Sequence, residues 1–376
     1  MLNETCAPIK VIPVYLPQFH QIPENDEWWG TGFTEWTNVK KAQPLFEGHY
    51  QPRVPLNDHY YDLSRVETLR WQSRIAKEHG IYGFCFYHYW FNNKLLLEKP
   101  MEILLENKDI DINFCISWAN HNWDNSWTAT AGREKTLISH DFDNEEDWIA
   151  HFKYLSKFFK DPRYIVEDNK PLIIIYIPNI IRKLSKLIKC WNELALKSGF
   201  DGLTFIFQSA MSHHTPGWDR DLFDYSIEFQ PGYANYTPPI YPSWFINYSG
   251  RLKKILGIKH RLVPQKKLRT FDYDQTWKKI LDARPSAANA IPSAFVDWDN
   301  TPRKMERGSV CLGASPEKFE IYFEQLVRKA IHEYKQDKVF VFAWNEWAEG
   351  GYLEPDRKFG FGYLRAIKNV IDRVKI

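Results

Sequence analysis

Eight short apolar runs, rich in β-branched and aromatic residues, lie along the chain with helical patterns between most of them. Runs that are apolar on both faces are typical of strands buried in a parallel sheet. Eight such strands with intervening helices predict an α/β fold, a (β/α)8 TIM barrel, and a doubly wound open sheet is the competing arrangement. The predicted strands are 11–15, 83–89, 113–118, 172–176, 203–207, 225–229, 292–296 and 339–343.

Helix-start signals support this alternation. Ser64 and Glu67 form a capping-box pattern, and Ser315 precedes Pro316, a residue type favoured at the first helical position. The length of 376 residues suits one barrel with long βα-loop insertions, so we expect residues 1–376 to form a single domain. Helices are predicted over 64–79, 143–159 and 179–198, and from 316 onward.

The cysteines and the amino terminus indicate where the protein is located, whereas the net charge does not indicate its partners. The formal net charge is only +2, and the five cysteines include no Cys-x-x-Cys pair, which indicates a reducing compartment. The amino terminus lacks the basic and apolar regions of a signal peptide. The longest apolar run, 172–177, is far shorter than the about 20 residues that span a bilayer. We therefore expect a cytoplasmic protein.

Polar and aromatic side chains are concentrated where the predicted strands end, whereas the residues before the strands are blander. In a barrel these ends meet at one rim, which is where active sites form. Aromatic faces beside amide, imidazole and carboxylate groups suit a sugar, although each residue alone also suits a structural role. The predicted substrate-binding residues are Tyr15, Gln18, His20, Tyr87, His88, Trp90, Trp118, Asn120, His121, Trp123, Glu228, Gln230, Asp297, Asp299, Trp344, Asn345 and Trp347.

The last predicted strand ends in two carboxylates three residues apart, Glu346 and Glu349, followed by Gly350 and Gly351. In a continuing strand these carboxylates would face opposite sides, but the glycine pair allows a sharp turn that brings them together. Two neighbouring carboxylates push each other's pKa values apart, so that one gives a proton while the other accepts one. Breaking or forming a glycosidic bond needs such a pair. We therefore predict Glu346 and Glu349 as catalytic residues, with solvated surface charges as the alternative.

Longer motifs carry a resemblance to known families. The run from Glu346 to Gly350 resembles the E-W-x-E-G motif of the family-99 glycoside hydrolases, the endo-α-mannosidases and endo-mannanases. Nearly the whole chain is similar to the WbsX-like family of bacterial polysaccharide gene clusters, through VYLPQFHQIPEND, TGFTEWTNV, YGFCFYHYWF, SWANHNW, DWDNTPR and WNEWAEGGYLEPD. The resemblance implies a family-99-like (β/α)8 barrel, although such proteins are often labelled glycosyltransferases.

The hydrolase resemblance also implies a role for each carboxylate. Glu346 corresponds to the base that takes the proton of a sugar 2-hydroxyl, whose oxygen then closes onto C1 as a 1,2-anhydro intermediate. Glu349 corresponds to the acid that protonates the leaving group and later activates water, so configuration is retained. The implied substrate is an α-mannoside-like or related bacterial polysaccharide. The end of strand one, 16–20, departs from the hydrolase pattern, which leaves the sugar open.

Two other functions compete with a hydrolase. One is a glycosyltransferase or transglycosylase of O-antigen or capsule biosynthesis, and the other is a non-catalytic glycan-binding barrel. A metal-dependent transferase would use an Asp-x-Asp pair, and only Asp297 with Asp299 lies at a predicted strand end. Zinc-ligand spacing, a calcium loop and a phosphate-binding glycine fingerprint are all lacking. We therefore expect no metal and no cofactor, which favours the hydrolase.

Residues 231–290 form a basic and aromatic segment that we predict as an insertion after strand six, not a separate domain. No Asp or Glu occurs from 229 to 271, whereas eight Lys or Arg lie between Arg251 and Arg269. A solvated basic face on a lid is one interpretation. Contact with an anionic glycolipid or membrane surface, peripheral at the inner membrane, is the other. Nucleic acid is not expected, because no recognition fold accompanies the charge.

Overall fold

Eight parallel strands close into a barrel in the computed structural model, which describes residues 9–125, 135–209, 219–235 and 268–374. The strands are β1 (Lys10–Tyr15), β2 (Gly83–Phe91), β3 (Asn113–Trp118), β4 (Lys170–Ile175), β5 (Thr204–Ser209), β6 (Tyr225–Glu228), β7 (Ala290–Phe295) and β8 (Lys338–Phe342). They follow one another around the ring in chain order. The predicted (β/α)8 TIM barrel is confirmed and the open sheet is excluded, because β1 pairs with β8 on one side and β2 on the other.

Helices follow most strands and cover the outside of the barrel. They are α1 (Pro23–Trp29), α2 (Glu35–Lys41), α3 (Val66–Glu78), α4 (Lys99–Glu106), α5 (Glu145–Phe159), α6 (Leu184–Lys197), α7 (Tyr273–Asp282), α8 (Thr301–Lys304), α9 (Pro316–Lys329) and α10 (Gly362–Val374). The short helices α1, α2 and α8 lie in the loops that follow β1 and β7. They are therefore placed at the carboxyl-terminal rim of the barrel.

Short strands outside the barrel pair with one another or with barrel strands. Lys94–Leu96 pairs with β2, Val166–Glu167 with β4, Trp123–Asp124 with Thr136–Ile138, Arg269–Asp272 with Ser309–Leu312, and Asn345–Glu346 with Gly351–Tyr352. The last pairing is a tight antiparallel one, and it folds the chain back immediately after β8.

Helix starts differ from the predicted ones at some positions. The capping box at Ser64 is wrong, because α3 begins at Val66 and no side chain caps it. The helix predicted from 179 begins at Leu184, since a 3-10 turn, Pro178–Ile180, comes first. The start at Ser315 is confirmed, because its hydroxyl accepts a hydrogen bond from the Lys318 backbone N–H.

Large aromatic side chains fill the layer between the barrel and its helices. Trp191 on α6 is fully buried, and its indole N–H donates to the Trp148 carbonyl at 3.0 Å. Trp277 on α7 is also fully buried and stacks on Phe295 of β7, with ring centroids 5.5 Å apart. This layer fixes the helices to the barrel, and the rim loops are built on that base.

The basic and aromatic segment 231–290 lies between β6 and β7, as predicted from the strand count. Residues 236–267, which include most of Arg251–Arg269, lie outside the described residues. That 231–290 is not a separate domain stays a prediction. Within the described ranges, no helix combines the length and the apolarity that crossing a bilayer takes.

Replacing a buried and an exposed residue of α6 tests how the helix is held. We expect Trp191→Ala to lower the free energy of unfolding by about 3–5 kcal/mol, because it leaves a large cavity. Leu196→Ala on the same helix is the control, since Leu196 is 58% exposed, and its effect should stay within about 0.5 kcal/mol. Urea unfolding followed by tryptophan fluorescence and circular dichroism measures both variants. Equal losses would contradict this packing.

Candidate active site

A cleft of about 420 Å³ opens at the carboxyl ends of the barrel strands. A cavity of this size holds a small ligand or a short piece of a longer one. Its aromatic lining is Trp29, Phe33, Tyr87, Tyr89, Trp123, Tyr176, Phe229, Trp298 and Phe342, and its acidic lining includes Glu35, Glu346 and Glu349. The cleft thus combines ring faces with carboxylates at the rim where the sequence predicts a site.

Both predicted catalytic carboxylates reach this cleft and bind the same arginine. The Arg303 guanidinium donates through Nη2 to Glu346 at 2.9 Å and through Nη1 to Glu349 at 2.9 Å. The Glu346 side chain is only 5% exposed, whereas that of Glu349 is 21% exposed. One guanidinium therefore holds the two carboxylates side by side.

A third carboxylate completes the group. The Nε–H of Arg303 donates to Glu35 at 3.2 Å, and the Glu35 side chain is 2% exposed. Glu35 is the first residue of α2, in the loop after β1, whereas Arg303 belongs to α8 after β7. The loops after β7, β8 and β1, which are neighbours in the barrel, thus meet at one guanidinium.

The turn that carries the two catalytic candidates depends on its glycines. After Asn345–Glu346, residues Trp347–Glu349 form a 3-10 turn, and Gly350 takes a left-handed conformation with φ of 71°. A β-carbon at Gly350 would lie 2.9 Å from the Asp299 backbone nitrogen. The sharp turn predicted from the glycine pair is present, and it brings Glu346 and Glu349 to one side.

Asp299 anchors the short helix that carries Arg303. Its Oδ1 accepts hydrogen bonds from the Thr301 backbone N–H at 3.0 Å and hydroxyl at 2.6 Å. Its Oδ2 accepts from His49 at 2.8 Å and Gln51 at 2.7 Å. Burial would raise the pKa of Asp299, but these bonds and the charge of a nearby arginine hold it at about 2. The carboxylate is therefore ionised, and it fixes the start of α8.

Arg53 binds the turn that follows β8. Its guanidinium donates to Asp297 at 2.7 Å and to the Gly350 carbonyl at 3.3 Å. The positive charge of Arg53 compensates the negative charge of Asp297. The Asp299 carboxylate lies 3.9 Å from the same guanidinium. A cation beside both members of the Asp-x-Asp pair disfavours a divalent metal there. Within the described part of the chain, no group of three His, Cys, Asp or Glu residues is arranged to hold a metal ion.

A buried glutamate, Glu354, binds the turn that carries Glu346 and Glu349. Glu354 accepts hydrogen bonds, each 2.7 Å long, from the Trp347 indole, the Tyr61 hydroxyl and the Gln72 amide. Burial raises the pKa of Glu354 to about 7, and these three donors oppose the rise. Trp347 also stacks on Tyr352, with ring centroids 3.8 Å apart. The turn therefore rests on a packed, hydrogen-bonded layer.

The surroundings of the cleft raise the proton affinity of the Glu346 carboxylate. Burial raises the pKa of the Glu346 carboxyl well above its ordinary value. The charges of Glu349 and Glu35 add to that rise, while Arg303 opposes it. Burial would lower the pKa of Arg303, but its carboxylate partners raise it, so the guanidinium stays charged. A single cation faces three acids, an arrangement that suits proton transfer.

Four of the predicted substrate-binding residues line the cleft: Gln18, Tyr87, His121 and Trp123. Gln18 donates through its side-chain amide to the Tyr89 hydroxyl at 2.9 Å. Burial lowers the pKa of His121, so its imidazole is neutral near pH 7. These residues stay candidates for contact with a ligand.

The other predicted residues do not line the cleft, because they are turned into the barrel wall or the loop bases. Glu228 binds the Tyr334 hydroxyl and the Ser286 backbone, and Asn345 binds the Leu16 backbone. These outlying residues are Tyr15, His20, His88, Trp90, Trp118, Asn120, Glu228, Gln230, Asp297, Asp299, Trp344, Asn345 and Trp347. That any of them contacts a substrate stays a prediction.

His88, one of the predicted substrate-binding residues, pairs with His151 outside the cleft. The two imidazoles bond at 2.9 Å, and His151 stacks on Trp90 with centroids 4.6 Å apart. Burial lowers the pKa of both histidines, so they are neutral core residues between β2 and α5. Conversely, Glu35 and Arg303 were not predicted, although they belong to the TGFTEWTNV and DWDNTPR motifs. The signal in the sequence is that both are charged residues inside a longer motif.

The raised pKa of Glu354 predicts how stability depends on pH. The folded state holds this proton more tightly than the unfolded state, so the contribution is full below pH about 4.5 and is lost as pH rises through about 7. Relative to wild type, Glu354→Gln should therefore gain up to about 3 kcal/mol between those limits. Thermal unfolding at several pH values measures this, with the exposed Glu333→Gln as control. Parallel curves for wild type and Glu354→Gln would refute the assignment.

Comparison with known proteins places the chain in a family. The sequence model of the family described as glycosyltransferase WbsX matches residues 11–367. Two relatives, both described as uncharacterized protein WxcX, come from Xanthomonas campestris pv. campestris strains B100 and ATCC 33913. Each is 33% identical over 380 residues, which cover 99% of this chain and 51% of the relative. The chain therefore spans about half the length of these relatives.

Solved structures share the fold at low sequence identity. The GH99 endo-alpha-mannosidase from Bacteroides thetaiotaomicron superimposes with a TM-score of 0.55 at 14% identity, over 96% of each chain. A glycoside hydrolase-like protein gives a TM-score of 0.57 at 13% identity, over 99% of this chain and 96% of its own. These likenesses show a glycosidase-like barrel. Since the family match covers nearly the whole sequence, the protein is a member of the WbsX glycosyltransferase family.

Proposed function

We propose that the protein acts on the glycosidic bonds of a bacterial polysaccharide or oligosaccharide, with Glu346 and Glu349 as its proton-transfer pair. The observation that carries the proposal is that both carboxylates line one cleft and bind one guanidinium. The family and the glycosidase-like fold both support a carbohydrate-active enzyme. A glycan-binding protein would have little need of two carboxylates in this arrangement.

In the proposed reaction Glu346 is the base. Its carboxylate takes the proton of the sugar 2-hydroxyl, and O2 forms a bond to C1 while the bond from C1 to the leaving oxygen breaks. The raised pKa of Glu346 makes its ionised form a better acceptor for a hydroxyl proton than an ordinary glutamate. Arg303, at 2.9 Å, supplies the positive charge that favours that ionised form.

Glu349 is the proposed acid. It gives its proton to the leaving oxygen, and in the second step it takes a proton from water as the water oxygen bonds to C1. The bond from C1 to O2 breaks in the same displacement, and O2 recovers its proton from Glu346. Glu349 suits this role because its side chain is the more exposed of the two and lines the open cleft. Two displacements at C1 retain the configuration.

The substrate that we propose is an α-mannoside or a related sugar. A 2-hydroxyl trans to the leaving group is required for closure onto C1, and an α-mannoside has that arrangement. The structural neighbour with that activity in its name is an endo-alpha-mannosidase. Aromatic residues such as Trp123, Tyr176 and Trp298 line the cleft, where the C–H faces of sugar rings would stack.

A transferase is the second candidate, because the family is described as glycosyltransferase WbsX. The same two carboxylates would serve, with a sugar hydroxyl in place of water in the second step. Incubation with α-mannosidic oligosaccharides and mass analysis of the products detects hydrolysis. Adding an acceptor sugar, with or without a sugar nucleotide, detects transfer.

Contact with an anionic glycolipid or membrane surface through Arg251–Arg269 also stays a prediction of the sequence, as does a cytoplasmic location at the inner membrane. Clustered Lys and Arg side chains are attracted to anionic lipid, and salt screens that attraction. Co-sedimentation with anionic and neutral liposomes tests it. Equal recovery in both supernatants would remove the idea.

Replacing the proposed acid tests the mechanism. We expect Glu349→Gln to lower turnover by about 10²–10⁴-fold while glycan binding is kept, because the amide cannot give the proton. We expect Glu346→Gln to lower turnover by a similar factor. The control is Glu333→Gln, whose side chain is 52% exposed and pairs with Lys329 far from the cleft. Product formation by mass spectrometry and binding by calorimetry separate the two effects, and unchanged turnover in Glu349→Gln would defeat the assignment.

A further inference from the structure

We infer that Arg303 and Glu35 are positioning residues for the proposed proton-transfer pair: Arg303 sets the placement of Glu346 and Glu349, and Glu35 holds Arg303. The inference rests on the proposed function in that the pair is the one named there. It adds a third carboxylate that touches the reacting groups only through the arginine.

Each nitrogen of the Arg303 guanidinium has its own carboxylate. Nε donates to Glu35 at 3.2 Å, Nη2 to Glu346 at 2.9 Å and Nη1 to Glu349 at 2.9 Å. The guanidinium is planar, and its donors are fixed in direction. Carboxylates bound at Nη1 and Nη2 are therefore held beside each other at a set spacing. A lysine, with one ammonium on a flexible stem, would not impose that spacing.

Glu35 is itself rigidly held, which makes it an anchor. Its side chain is 2% exposed, and its Oε2 also accepts a hydrogen bond from the Asn38 amide at 3.4 Å. Its backbone N–H donates to the Gln18 carbonyl at 3.2 Å. Next to it, Trp36 packs against Trp347 with ring centroids 5.6 Å apart. Rotation of the guanidinium away from the pair would break the bond to this fixed acceptor.

The charges at this site follow from the same contacts. Glu346 lines the cleft with Arg303 and Lys304 of α8, Glu35 of α2 and Glu349 of its own turn. Tyr89 and Tyr176 face it from β2 and from the loop after β4, and His121 and Asp124 lie in the loop after β3. The charge of Glu35 adds to the rise in the pKa of Glu346, and Arg303 opposes that rise. Glu35 thus affects the proton on Glu346 through its charge and through its bond to Arg303.

The test measures the carboxylates directly and needs no substrate. Protein labelled with 13C at the glutamate carboxyl carbon is titrated by NMR, and the Glu346 signal is identified by its loss in Glu346→Gln. Glu35→Gln keeps an acceptor for Nε–H but removes the charge. We expect it to lower the Glu346 titration midpoint by about one pH unit or more. Arg303→Met should raise the midpoint, because the opposing cation is gone.

The control is Glu167→Gln, an acid-to-amide change at an ion pair with Lys338, at the start of β8 and away from the cleft. It should leave the Glu346 midpoint unchanged. If Glu35→Gln unfolds at the wild-type temperature yet leaves the midpoint unchanged, the inference is overturned. If Arg303→Met does not fold, Glu35→Gln still decides the matter. The titration measures no turnover, so the expected midpoint shifts would support this inference even if the separate turnover assays contradicted the proposed function.

Discussion

The Arg303 guanidinium connects the parts of the chain on which the candidate site depends. It binds carboxylates from the loops after β1 and β8, and it belongs to the loop after β7. A carboxylate buried without a cation would shed its charge, and three together would repel one another. The arginine makes their assembly at the rim feasible. It leaves an excess of negative charge, which is the condition for holding a transferable proton.

That assembly is supported by a second buried polar layer beneath it. Asp299 fixes the first turn of α8 through Thr301, and its other oxygen is bound by His49 and Gln51. Arg53 bridges Asp297 and the Gly350 carbonyl. In a low-dielectric interior such hydrogen bonds and ion pairs are strong, and they restrict the side chains that make them. Asp297 and Asp299 thus help to hold in place the loop that carries Arg303.

The sequence predicted the features that local patterns encode. The eight strand runs determine the barrel, and the glycines after Glu349 determine the turn, because each depends on neighbouring residues. Arg303 and Glu35 are 268 residues apart, and no local pattern indicates that they meet. Not every residue at a strand end lines the cleft, for a related reason. Alternate residues at a strand end point in opposite directions, so His88 enters the wall between β2 and α5 while Tyr87 lines the cleft.

The cleft has two walls that come from different parts of the chain. The loops after β7, β8 and β1 supply the carboxylates and their arginine, whereas the loops after β3 and β4 supply Trp123 and Tyr176. In the proposed chemistry the first wall moves protons at O2 and at the leaving oxygen, and this is the same for water and for a sugar acceptor. Because the same proton transfers serve either acceptor, a glycosidase-like barrel is compatible with a family described as glycosyltransferases.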